Sequence, residues 1–186
     1  MVHPPTIDRA IHLAPGRAAG ARLREAGARH VVLLDDDLAH GPSAAEPGKH
    51  ARLRRGHRSE VSSGPRPASD LAATLDVLPE ELPVVLWSSG AWRDVLAAVQ
   101  GLVALRRGRI PPGRLRLAAA EGPQPIGERA AGSLARLLGR SRPLRPSDLR
   151  DAAAAWRAFT ARTPAALERV RRRPGGFPGF AAAVAD

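Results

Sequence analysis

The sequence has no cysteine and no tyrosine, and only three Trp, three Phe and one Met among its 186 residues. Without cysteine there can be no disulfide framework and no thiolate metal site, and nothing points to an oxidising compartment. Aromatics at 3% leave little surface on which nucleic-acid bases could stack. Lysine is nearly missing as well: Lys49 stands alone, so the formal charge of +11 rests on arginine. No stretch approaches the roughly 20 apolar residues that a membrane-spanning helix needs. Met1 to Leu13 lacks the basic start and apolar run of a secretory signal. The expectation is a soluble cytoplasmic protein with no membrane partner.

What the chain does have is alanine, leucine and valine, within an apolar fraction of 44%. Small side chains favour closely packed helices, and the length suits one full-sized core with a small appendage. The positive charge is unevenly placed, since residues 106–150 hold eleven arginines against three acids. An arginine excess of this kind fits a nucleic-acid surface, and it fits a GC-rich genome equally well.

One stretch organises the reading. His30 to Pro42 runs HVVLLDDDLAHGP, in which four apolar residues lead straight into Asp35, Asp36 and Asp37. Ahead of it, Ala10–Leu13 reads as a short strand, Pro15-Gly16 as a turn, and Arg17–Ala26 as a helix stopped by Gly27. With His30–Leu34 as the next strand, this is a compact βαβ unit with parallel strands and a right-handed crossover. Residues 41–66 lack apolar periodicity and read as a long basic loop or insertion. Ser69 caps an expected helix from Asp70 to Leu78.

Pro83 precedes Val84-Val85-Leu86-Trp87, the clearest strand in the chain. Ser88-Ser89-Gly90 then turns into an amphipathic helix, Ala91–Leu105, and Arg114–Ala120 supplies a further strand. From Glu121 onward the strands are expected to stop, leaving helices at Ile126–Gly139, from Pro146 through Phe159, and at Ala165–Arg173. The fold class is therefore α/β: a small, mostly parallel sheet of about four strands flanked by helices. Residues 1–120 would form that domain and 121–173 a helical extension packed on it. The ending from residue 174 to 186 is assigned as a flexible tail, with docking through Phe177 and Phe180 as the alternative.

Ligands of open α/β sheets bind outside the carboxyl ends of the strands. The candidate ligand-binding residues are accordingly Gly16, Arg17, Asp36, Asp37, His40, Ser88 and Ser89. Gly16 and Arg17 open a helix whose first amides could receive a phosphate or carboxylate. Alternation along a strand points Asp35 and Asp37 one way and Asp36 the other. Two such carboxylates with His40 could hold a divalent cation or position a water, and the plainer reading is a capped turn in solvent. All six histidines lie within the first 57 residues, but no pair has the spacing of a helical zinc motif, so no metal is assigned. His12 reads as a hydrogen-bonded core histidine. One glycine falls far short of a dinucleotide fingerprint, and no G-x-S-x-G surrounds Ser88 and Ser89, so no cofactor and no catalytic residue are assigned.

The order of these blocks resembles a bacterial family of uncharacterised α/β domains, domain-of-unknown-function family eighteen-thirty-five. The resemblance spans about residues 10–170. It rests on the His12 strand, Gly16 and the helix ending at Leu23, and the strand into Asp36-Asp37-Leu38 and Gly41-Pro42. The Val85-Leu86-Trp87 strand, the Trp92-Arg93-Asp94-Val95-Leu96 helix and Ala155-Trp156-Arg157-Ala158 are similar to its later blocks. Family members commonly read Gly-Asp-Ser where this chain reads Gly16-Arg17-Ala18. Losing the acid and the hydroxyl turns that site toward binding rather than catalysis. The resemblance implies a fold and carries no reaction.

Three functions remain in play. The leading one is binding of a small anionic ligand, a nucleotide or phosphorylated metabolite, at the carboxyl ends of the strands. The second is nucleic-acid association through the arginine-rich half, and the third is a protein-interaction module.

Overall fold

The strand Val84–Ser88 is buried at all five positions, as a run of apolar residues ahead of a tight turn requires when both faces of a parallel sheet are covered. A computed structural model describes residues 5–34, 79–106, 110–161, 163–172 and 176–180, together with Lys49 and Leu53. Among these the chain forms β1 (Ile11–Ala14), α1 (Arg17–Glu25), β2 (His30–Leu33), β3 (Val84–Ser88), α2 (Trp92–Leu105) and β4 (Leu115–Ala119). It continues with α3 (Ala131–Gly139), β5 (Arg142–Pro143), α4 (Pro146–Thr160) and α5 (Pro164–Arg171). The strands lie in the order β2-β1-β3-β4-β5. The first four are parallel, and β5 runs antiparallel against β4.

Alternation along the strands divides the core in two. Ile11, Leu13, Val84, Leu86, Leu115 and Leu117 face one side, where Val95, Val99 and Leu102 of α2 and Trp156 of α4 cover them. Ala10, Ala14, Val85, Trp87 and Ala118 face the other, under Leu23 of α1 and Leu134 and Leu138 of α3. Helices on both faces of the sheet make a three-layer, doubly wound α/β arrangement. The α/β class and mostly parallel sheet expected from the sequence are what the chain adopts. No helix among the described residues is long and apolar enough to cross a membrane.

Three expectations need correction. The strands do not stop at Glu121: β5 pairs Leu117 with Arg142 and Arg116 with Pro143, giving five strands. Two residues, one a proline, are too few to show alternation, and proline is tolerated there because β5 is an edge. The stretch 126–139 is not one helix. A single 3₁₀ turn, Ile126–Glu128, is followed by extended backbone at Arg129 and Ala130 before α3 begins. The ending is not wholly a free tail either, because Phe177 and Phe180 are 3% and 1% exposed and belong to the core beneath α2 and α4. Phe180 and Phe159 both lie about 6 Å from Trp92 by ring centroids (6.3 and 6.0 Å), within the range of favourable aromatic pairs. The expected helix over residues 70–78 and nearly all of the 41–66 loop lie outside the described residues.

Candidate functional site

The site residues read from the sequence separate into three groups. Asp36, Asp37 and His40 lie outside the described residues. Gly16 and Arg17 stand at the start of α1, beside the carboxyl end of β1. Ser88 and Ser89 stand at the carboxyl end of β3, both buried at 1% and 2% exposure.

The crevice between β1 and β3 is where this strand order would place a ligand, and the chain itself occupies it. Leaving β4, the backbone first meets the β3 turn, where the Gly90 amide donates to the Gly122 carbonyl at 2.9 Å. It next reaches the start of α2, where the Ile126 amide donates to Asp94 Oδ2 at 2.8 Å. It ends against α1: a Cβ on Gly127 would lie 2.7 Å from the Ala18 Cβ and 2.9 Å from the Ala19 nitrogen. Only glycine can approach the first turn of α1 so closely. Ile126 is fully buried in the process. The helix start that suggested an anion site is therefore packed against the turn at residues 126–128.

Asp94 is the pin of this crossing. Its Oδ2 also accepts the Ser89 hydroxyl at 2.7 Å, while Ser89 Oγ accepts the Ala91 amide at 3.1 Å. Burial raises the Asp94 carboxyl above its ordinary value, and the Ile126 and Ser89 hydrogen bonds pull the other way. Ser89 spends its hydroxyl on Asp94, and among the described residues the only partner of Ser88 Oγ is the Ser89 carbonyl at a long 3.4 Å. These serines fix a turn. Arg129 completes it by donating from Nη2 to the carbonyls of Glu121 and Gln124 at 3.0 and 3.1 Å. Its buried Nε finds no partner among the described residues.

A cleft of about 730 Å³ opens on the other side of the crossing, at the carboxyl ends of β3 and β4. That volume lies within the range of about 300–1,000 Å³ typical of small-molecule sites. Ser89 and Gly90 form one wall, Ala119 to Pro123 the opposite one, and Pro178 and Gly179 of the docked ending a third. The two turns close on each other because a Cβ on Gly90 would meet the Gly122 carbonyl oxygen at 2.6 Å. Arg142, at the start of β5, supplies the cation of the cleft, and Glu121 supplies its carboxylate.

Arg142 is held rigidly. Its Nη1 and Nη2 donate to Asp148 Oδ2 and Oδ1 at 2.7 and 2.8 Å, an end-on bidentate pair. Nη1 also donates to the Pro143 carbonyl at 3.2 Å. Asp148, only 7% exposed, in turn accepts the Arg145 amide at the start of α4 at 2.7 Å. Burial alone would raise the Asp148 carboxyl, but the Arg142 and Arg145 hydrogen bonds outweigh it and hold it below the ordinary range. A guanidinium carries five N–H donors. The Nε–H and the outer Nη2–H, which form the second fork of the group, have no hydrogen-bond partner among the described residues.

Sequence reasoning reached the Ser89-Gly90 wall through the strand–turn–helix pattern. It missed Arg142, Glu121 and the Pro178-Gly179 wall. The Ala120-Glu121-Gly122 turn after β4 was a readable cue, because it repeats the strand-to-turn pattern of β3. Arg142 carried no cue beyond the Pro146-Ser147-Asp148 helix start six residues away.

The fold and the cleft define a doubly wound α/β protein with a ligand-sized opening at the carboxyl edge of its sheet. Compared with known proteins, the chain matches no family model, no curated protein and no solved structure. Among the described residues, no group of three or more His, Cys, Asp or Glu side chains is placed to hold a metal ion.

Proposed function

We propose that this protein binds a small ligand through its anionic group, a phosphate or a carboxylate, in the cleft at the carboxyl ends of β3 and β4. The observation that carries this is that Arg142 lines a ligand-sized cleft while its Nε–Nη2 fork has no hydrogen-bond partner among the described residues. An end-on pair with Asp148 fixes the guanidinium plane, so little side-chain freedom remains to be lost when an oxyanion meets the second fork. Membership of the family that the motif order resembles belongs to the same proposal, supported by that order alone. The ligand proposed here lies farther along the sheet than the β1–β3 crevice, which residues 126–128 fill.

Thermal unfolding in the presence of nucleotides, phosphorylated metabolites and small carboxylic acids tests the proposal. At least one anion class should raise Tm in the native protein and fail to do so in Arg142→Lys, which keeps the charge and loses the fork. No stabilisation by any anion, or equal stabilisation of the variant, would remove it.

A further inference from the structure

The cleft contains charges of both signs, and each has something left to offer. Arg142 lines the cleft, and its second fork has no hydrogen-bond partner among the described residues. Glu121 lies two residues past the end of β4, is exposed, and its carboxylate has no ion-pair partner among the described residues. Its backbone carbonyl is tied down by Arg129, so the turn that carries the side chain is fixed while the carboxylate is not. The remaining lining is Ser89, Ala119, Ala120, Pro123 and Pro178 with glycines, which offers small, mostly apolar contacts and no further cation among the described residues. A polyphosphate would find a single, already half-committed guanidinium and an opposing carboxylate. A molecule carrying one anionic and one cationic group meets both demands.

We infer that the cleft takes a small zwitterion bearing a carboxylate and a primary ammonium, the chemistry shared by free amino acids and short peptides. This rests on the reading of the cleft as an anion-binding site and narrows it. The carboxylate lies along the Nε–Nη2 fork of Arg142 as a planar two-oxygen acceptor. The ammonium donates to Glu121. The apolar floor of Ala119 and Ala120 receives the carbon skeleton between them. Asp148 is a positioning residue that orients Arg142 and touches no ligand.

Calorimetric titration of the full chain with L-alanine and L-alanyl-L-alanine, against N-acetyl-L-alanine and L-alanine methyl ester, separates the contributions of the two charges. At least one zwitterion should bind about tenfold or more tightly than either singly blocked analogue, as a charge-assisted hydrogen bond to each end implies. Glu121→Gln, an exposed substitution that leaves the fold intact, should erase the preference over N-acetyl-L-alanine without weakening N-acetyl-L-alanine itself. Preference for L-alanine or for the dipeptide identifies the source of the zwitterion. Stabilisation by phosphorylated compounds with no zwitterion binding would overturn this inference and leave the anion site standing. An unchanged preference in Glu121→Gln would also overturn it. Silence from every ligand would overturn both.

Discussion

Arg142 and Asp148 meet edge to edge, with Nη1–Oδ2 at 2.7 Å and Nη2–Oδ1 at 2.8 Å. The same carboxylate closes the first turn of α4 through the Arg145 amide. One acid thus ties the edge strand β5 to α4 and orients the cation of the cleft. Truncating Arg142 to Ala leaves Asp148 buried with one lost partner. The expected loss is about 1–3 kcal/mol, toward the lower end because the Arg142 side chain is 35% exposed. Chemical denaturation of both single variants and the double variant measures the coupling. Because the folded Asp148 pKa lies below the unfolded 3.8, this contribution is present above that value. It is lost as the pH falls through the lower folded pKa.

Asp94 has the opposite sign. Burial lifts its folded pKa above 3.8, so the native state holds the proton more tightly than the unfolded chain and loses stability as pH rises through that interval. Asp94→Asn retains an oxygen for Ser89 and Ile126 and removes the buried charge. Its stability near neutral pH should lie within about 1 kcal/mol of the native protein, with the carboxylate's share of the pH slope gone. Asp94→Ala should instead cost about 2–4 kcal/mol, since it frees the buried Ile126 amide and the Ser89 hydroxyl together. Urea unfolding across pH separates the two.

His12 is locked as the neutral Nε2–H tautomer. It donates to the Ile7 carbonyl at 2.8 Å, and its Nδ1 accepts the Trp87 indole N–H at 3.0 Å. Burial lowers its pKa below 6.5, so its contribution is complete above 6.5 and is lost as the pH falls below it. NMR titration should find this ring neutral below pH 6.5. His12→Phe should cost about 2–3 kcal/mol, because it strands the Trp87 donor and the Ile7 acceptor.

Gly90→Ala drives a Cβ to 2.6 Å from the Gly122 carbonyl oxygen, and backbone must move to admit it. Both walls of the cleft shift, so a lower Tm and weaker ligand binding should appear together. Gly132→Ala is the control. A Cβ there meets nothing within 4 Å, and within α3 it should stabilise by about 0.5–1 kcal/mol through helix propensity alone.

Much of the frame could be read directly. Val84 to Trp87 after Pro83 announced the central strand, and the spacing of Val95, Val99 and Leu102 announced the buried face of α2. His12 was readable as a bonded core residue because it interrupts an apolar strand. The interactions that shape the site were not readable, because they join distant positions. Trp87 meets His12 across 75 residues and Ile126 meets Asp94 across 32, with no local pattern marking either pair. The 3₁₀ turn at Ile126–Glu128 was hidden for the same reason. Its backbone amide is committed to Asp94, a tertiary bond that overrides the helical run of Leu134, Leu137 and Leu138 to which it had been joined.

The most direct measurement is a ¹⁵N–¹H NMR titration that follows the arginine Nε–H signals and the backbone amides as L-alanyl-L-alanine, or whichever anion most raises Tm, is added. The expected result is a shift of the Arg142 Nε–H together with the Gly90 and Gly122 amides, while Arg17 to Ala19 stay in place. A saturating ligand that moves the amides of Arg17 to Ala19 and leaves Arg142 Nε–H unmoved would contradict it.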